Sequence, residues 1–222
     1  MISRRQFLNQ SALLTAGVAA SSCSTIEVFD TPPLAIGSNL PPAATMYAGL
    51  SDGGFNIPAV PYQQVPKKFH RQIVRNRTGE GPGTIVVETR RHHLYYTQDD
   101  GTAVRYGVGL GRAGFEWSGR ATMQWKRRWP TWTPPAEMIA REPDLKKYSA
   151  ANGGMRPGLM NPLGARALYI FQDGRDTLYR LHGSPEWNSI GRSVSSGCVR
   201  LMNQDVIDLY RRVPNGTPIV VR

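Results

Sequence analysis

From residue 84 onward the apolar side chains come in short runs, each closed by a turn signal. Thr84-Ile85-Val86-Val87-Glu88-Thr89, Leu94-Tyr95-Tyr96-Thr97 and the segment from Val104 to Val108 are rich in β-branched and aromatic residues, with Asp99-Asp100-Gly101 between the last two. They predict a strand meander. Arg90-Arg91-His92-His93 fits an exposed turn between the first two strands, since no further ligand stands nearby at metal spacing. A second pair of strands, Ala167 to Phe171 and Thr177 to His182, flanks Asp173-Gly174 and places His182 at a strand end. One stretch has a helical period: after Asn203-Gln204-Asp205, apolar residues Val206, Leu209, Tyr210 and Val213 fall at i, i+3, i+4 and i+7. Pro214-Asn215-Gly216 stops it ahead of a closing strand, Thr217 to Val221, and Pro134-Pro135 opens a shorter helix at Ala136. The expected fold class is mainly β with a few short helices.

Upstream, from Ser24 to about Gly83, Pro and Gly are frequent and neither period persists. This reads as an extended tether. Its later part, Tyr62 to Arg77, supplies Val65, Phe69, Ile73 and Val74 to pack on the domain. Residues 1–22 read as an export signal: Ser3-Arg4-Arg5-Gln6-Phe7-Leu8 resembles a twin-arginine leader, and the apolar run from Ala12 to Ala20 is too short to span a bilayer. Val18-Ala19-Ala20 offers a signal-peptidase site, whereas Ala20-Ser21-Ser22-Cys23 resembles a lipobox that would make Cys23 the lipidated first residue. The expected divisions are therefore 1–22, a signal; 23–82, a tether and extension; and 83–222, one folded domain.

Composition narrows the partners. Of 222 residues, 40% are apolar and 19% charged, the balance of a folded chain. Lys and Arg number 27 against 16 acidic residues, a net charge of +11, and removal of residues 1–22 takes away Arg4 and Arg5 to leave 11 − 2 = +9. Export makes nucleic acid an unsuitable partner for that basic surface and leaves the anionic envelope of a bacterium, with the protein in the periplasm and touching the membrane only through a lipid on Cys23. Trp125-Lys126-Arg127-Arg128-Trp129-Pro130 fits an edge that covers a cleft, or rings that roof a small β core. The 2 cysteines, Cys23 and Cys198, exclude a disulfide scaffold and leave a cysteine-based zinc site short of ligands.

The chemistry concentrates in His182-Gly183-Ser184 and Ser195-Ser196-Gly197-Cys198-Val199-Arg200. A thiol retained in an oxidising compartment is a liability unless its thiolate is used. Only about 3% of an unperturbed thiol is ionised at pH 7, so a base or a positive charge must assist. His182 is the candidate base; Gly197 permits a tight turn that would aim the Gly197 and Cys198 amides at an oxyanion. Arg200 would tune the thiol or hold an acidic substrate. Each residue alone has a plain alternative: a buried Cys as inert filling, a strand-end His as a hydrogen-bonded structural group, a Ser-Ser-Gly turn as only a turn. Their joint occurrence points to nucleophilic catalysis.

This pattern resembles the L,D-transpeptidase (YkuD-type) catalytic domain, whose signature is His-Gly, a short spacer, then Ser-His-Gly-Cys-x-Arg or Asn. Asn161-Pro162-Leu163-Gly164 and Trp129-Pro130-Thr131-Trp132 extend the likeness, which covers about 84 to 222. Ser196 stands where the family has its second His, which puts the base function on His182 alone. The resemblance implies a β-sandwich-like fold and peptidoglycan stem peptides as substrate. Cys198 would attack the carbonyl of the third stem residue, expelling the terminal D-alanine and forming a thioester. His182, oriented by the Gly183 carbonyl, would carry the proton. Arg200, Ser195, Ser196 and Trp187 would contact or shape the substrate site, and no metal or organic cofactor is required. The acceptor is left open by the sequence: an amine would give 3,3 cross-links or attachment of an outer-membrane protein, and water would give an L,D-carboxypeptidase. A non-catalytic wall-binding lipoprotein is the reading from another class.

Overall fold

The computed structural model describes residues 40–111, 118–195 and 198–222, with backbone alone for Val194 and Ser195. In chain order its elements are α1 (Ala43–Met46), β1 (Leu50–Asp52), β2 (Phe55–Ile57), β3 (Gln72–Arg75), β4 (Ile85–Glu88), β5 (His93–Thr97), β6 (Thr102–Gly107), β7 (Leu110–Gly111) and β8 (Gly119–Arg128). There follow α2 (Ala136–Arg141), β9 (Arg166–Gln172), β10 (Arg175–Ser184), β11 (Ser193–Ser195), β12 (Val199–Met202), α3 (Asn203–Arg212) and β13 (Thr217–Val221). The protein is mainly β: among the described residues nine strands form one sheet in the order β12-β10-β9-β8-β13-β4-β5-β6-β3.

One face of this sheet and the apolar side of α3 share a core. Ile85, Val87, Leu94, Val104, Tyr106, Leu168, Ile170, Leu181 and Leu201 meet Val206, Leu209 and Val213 there. The unbroken run Ile85-Val86-Val87 follows from burial on both faces, because Val86 turns the other way into a small cluster with Tyr95 and Ala103. The sheet curls until the chain leaving β6 reaches β12, where Gly109 and Arg200 exchange backbone hydrogen bonds of 2.9 and 2.8 Å. Beside that junction β7 pairs in parallel with β11, the strand that leads toward Cys198.

The segment expected as a tether is folded from residue 40 onward. Its elements are only a few residues long, shorter than a window in which a period is legible, and they are secured by side chains instead. Tyr47, Val60, Val65 and Phe69 form an apolar cluster with Ile190 and Met202. The Gln204 amide donates to the carbonyls of Ala48 and Pro58 at 3.2 and 3.0 Å. Asp52, at the end of β1, accepts from both arms of Arg166 at 2.7 and 2.8 Å and from Trp129 Nε1 at 2.7 Å. One other expectation changes, and of the two alternatives for the aromatic run the ring-roofed core is the one found. His93 is buried on β5, with Nε2 against the Lys68 carbonyl at 2.9 Å, so only Thr89–Arg91 and His92 make the turn. The aromatic and basic run is the end of β8: Trp129 is buried against Phe55, with ring centroids 4.2 Å apart, and Trp125 lies flat on Tyr169.

Candidate active site

Strands β10 and β12 run parallel, with Leu181 opposite Val199 and His182 opposite Arg200. Leu181, Val199 and Leu201 are wholly buried in the core. Side chains alternate along a strand, so His182, Arg200 and Cys198, the residue before Val199, share the opposite face, together with Arg180. Two parallel strands joined by a short connection thus bring the thiol and the imidazole to one small surface of the sheet. Cys198 is half-buried there and His182 is 4% exposed.

His182 Nδ1 lies 2.7 Å from the Gly183 carbonyl. A carbonyl only accepts, so Nδ1 carries the proton of the neutral ring and Nε2 keeps its lone pair. Burial lowers the imidazole pKa from 6.5 to about 4, and the positive charges of Arg200 and Arg180 add to that, against the pull of the Gly183 and Pro162 carbonyls. The ring is therefore neutral at pH 7. Burial pushes the Cys198 thiol up, opposed by the Arg180 backbone and by the guanidinium charges of Arg180 and Arg200. The resting pair is a neutral thiol beside a neutral imidazole.

This state has a measurable signature. An NMR titration of the His182 ring is expected to show no protonation until pH approaches 4. Because the unfolded imidazole takes up its proton near 6.5, the folded state loses stability as pH falls from 6.5 to 4. The loss from this one group is about 3 kcal/mol, readable in denaturant melts across that range.

Gly183 fixes where His182 sits. A Cβ on Gly183 would collide with Asn203 Oδ1 and come within 3.0 Å of Val206 Cγ1 and 3.1 Å of the Ala165 nitrogen. Asn203 Oδ1 is held in that place by accepting from the Ala165 amide at 2.9 Å. The first residue of α3 thus packs on the backbone that carries the histidine. Gly183→Ala is expected to cost about 1–3 kcal/mol by overpacking and to slow reaction at Cys198, checked by melts and by thiol labelling.

The other expected site residues divide. Arg200 lies at the site and is bound to Glu186 at 2.7 Å, a carboxylate that is 62% exposed. Trp187, on a 3₁₀ turn (Trp187–Ser189), packs against the cluster around Tyr47 and Phe69. Ser195 closes β11 opposite Gly111. Ser196 and Gly197, like Cys23 and the signal sequence, lie outside the described residues. Among the described residues no group of three or more His, Cys, Asp or Glu side chains is placed to hold a metal ion.

Residues 82–221 match the family model for the L,D-transpeptidase catalytic domain, YkuD. The chain belongs to that family. It is 35% identical over 147 residues to the Escherichia coli (strain K12) protein named Probable L,D-transpeptidase ErfK/SrfK, a match covering 62% of this chain and 43% of that protein. The chain thus spans less than half the length of this curated relative. Two solved structures are similar: a Brucella melitensis protein described as a Probable carnitine operon oxidoreductase caia (44% identity, TM-score 0.49, 73% of this chain and 99% of that one), and L,D-transpeptidase 3 from Mycobacterium tuberculosis (19% identity, TM-score 0.46, 64% and 62%). Within this L,D-transpeptidase domain, sequence reasoning missed Asn203 and Arg180. Asn203 carried no signal, because its side chain acts through remote backbone: it accepts from the Ala165 amide and lies against Gly164 and Gly183. Arg180 did carry one: it stands two residues before His182 on the same strand, hence on the same face.

Proposed function

We propose that the chain is a peptidoglycan L,D-transpeptidase that uses Cys198 as nucleophile. The observation that carries this reading is the parallel pairing of β10 and β12, which sets Cys198 and a neutral, Nδ1-protonated His182 on one face. In the acylation step the Cys198 sulfur bonds to the carbonyl carbon of the third stem residue while its proton passes to His182 Nε2. The tetrahedral intermediate collapses as that proton moves to the nitrogen of the departing D-alanine, leaving a thioester. The neutral ring then accepts a proton from the incoming amine, whose nitrogen displaces the sulfur, and the proton returns to the thiol. Amides at Gly197 and Cys198 would hold the oxyanion, and Arg200, released from exposed Glu186, would meet a substrate carboxylate. A histidine that stays neutral at pH 7 suits this cycle, since it is always ready to accept.

The reading includes export by the leader in residues 1–22 to the bacterial envelope, with lipidation at Cys23; an acyl mass on the mature N-terminus would support that, and cleavage after Ala20 would reject it. The test of function is incubation with tetrapeptide muropeptides and mass analysis of products. Cross-linked dimers together with released D-alanine are the expected result. Tripeptides alone would make the protein an L,D-carboxypeptidase, and unchanged substrate with no carbapenem adduct on the Cys198 peptide would make it a non-catalytic wall binder.

A further inference from the structure

Three residues beside the site form a unit that the reaction cycle above does not use. Tyr169 on β9 is opposite both Trp125 on β8 and Arg180 on β10. Arg180 precedes Leu181 as Cys198 precedes Val199 across the β10–β12 pair, and the Arg180 backbone is hydrogen-bonded to Cys198. A single row, Trp125, Tyr169, Arg180, therefore crosses three adjacent strands on the face that carries His182 and ends at Cys198, the residue before β12.

The row is closely stacked. The Trp125 and Tyr169 rings lie 3.6 Å apart and 12° from parallel, and the Arg180 guanidinium sits over the other face of Tyr169 at 4.4 Å. Asp176 binds both guanidinium arms, at 2.6 and 2.7 Å, and the Tyr179 carbonyl accepts a third hydrogen bond at 2.8 Å. Residues four apart on a regular strand are about 13 Å apart, too far for so close a pair. The contact exists because β10 bulges between Asp176 and Arg180, where Leu178 takes φ 61° and is 70% exposed. A bulge with a strained, exposed leucine is costly in a strand. Its structural return is an arginine fixed on three sides.

With its fork occupied by Asp176, Arg180 is poorly placed to take a substrate carboxylate. A fixed charge beside the sulfur has another use. We propose that Arg180 is a positioning residue of the reaction, its guanidinium clamped by Asp176 and Tyr169 to stabilise the negative charge that develops on the Cys198 sulfur. This rests on the reading of Cys198 as nucleophile. It accounts for a device that a surface ion pair alone would not require: a rigid cation needs no reorganisation as charge appears, and Arg180, 13% exposed, is more sheltered from solvent than Arg200 at 21%. The direction of the charge effect on both partners agrees, since Arg180 lowers the thiol and the imidazole pKa alike.

The test is the pH dependence of iodoacetamide alkylation in the full chain, followed on the Cys198 peptide by mass so that Cys23 does not interfere. Arg180→Met and Arg180→Gln both remove the charge, the second retaining a donor for Asp176; Arg180→Lys retains the charge. The expected result is an alkylation midpoint about one pH unit higher in the Met and Gln variants, with a rate at pH 7 about tenfold lower, and recovery in Lys. The His182 titration should also move to higher pH in the uncharged variants. A midpoint unchanged in Arg180→Gln, or an equal loss in all three variants at constant midpoint, would overturn the proposal. Alkylation needs no peptidoglycan, so a wild type that shows this profile but makes no product from muropeptides would reject the proposed function while leaving the role of Arg180 standing.

Discussion

Cys198→Ser is expected to lower the rate of acylation by tetrapeptide substrate, and by a carbapenem, by at least about 1,000-fold, equivalent to some 4 kcal/mol in the barrier. The reason lies in the base. His182 has its pKa lowered to about 4 by burial and by two nearby guanidinium groups, so it is a weak proton acceptor. A thiol loses its proton several orders of magnitude more readily than an alcohol, and the sulfur anion tolerates a desolvated site better than an alkoxide. On the proposed mechanism, the geometry that would suffice for Cys198 is insufficient for a hydroxyl of nearly the same shape. Stability should barely change, which separates loss of chemistry from loss of fold. Intact-protein mass spectrometry of the adduct against time, with a parallel melt, checks both; a serine variant acylated at close to the wild-type rate would refute the nucleophile assignment.

The parts of this domain that were legible in the sequence are those with local causes. Ile85-Val86-Val87 announces a strand because β-branched side chains bury well on both faces of a sheet, and Asp99-Asp100-Gly101 and Asp173-Gly174 announce the turns. α3 starts at Asn203 as its period predicts, and β13 closes the chain from Thr217. What the sequence conceals has remote causes. His93 looks like part of a polar turn, yet its ring is buried with Nε2 against the carbonyl of Lys68, 25 residues away. Residues 40–75 have no period because what holds them is a set of long-range pairs, Asp52 with Arg166 and Trp129, Gln204 with two carbonyls, and Tyr47 with Asp205. At the site, the chemistry-bearing types Cys198, His182 and Arg200 are visible in the motif. The bulge that brings Asp176 to Arg180 is not, since an extra pair of residues in a strand changes no composition.

Arg71→Met is expected to destabilise the folded chain by about 3–5 kcal/mol, the cost of leaving a buried charge uncompensated. Arg71 enters from the extension ahead of β3 and lies 2.7 Å from Asp208 and 3.7 Å from Asp205, all three nearly inaccessible to solvent. Arg212 binds Asp208 as well, at 2.8 Å, so two arginines and two acids share one buried cluster. Burial lifts the Asp205 carboxyl to about 7, with Arg71 opposing and Asp208 adding to the rise. Burial alone would lift Asp208 too, but Arg212, Arg71 and Tyr106 together hold it below the usual carboxylate value. Without Arg71 the Asp205 value rises further. A carboxyl raised in the fold keeps a proton that the unfolded chain releases from 3.8 upward, so stability falls as pH rises through that window. The deficit of Arg71→Met should therefore be smaller at pH 5 than at pH 8. Adding Asp205→Asn removes an acid in turn and keeps an acceptor for Tyr47, and the double variant should regain part of the loss at pH 8. The same melts run with thiol labelling would show how far the damage travels: Asp205 sits two residues beyond Asn203, the side chain that seats Gly183, so reaction at Cys198 should slow before the whole domain unfolds.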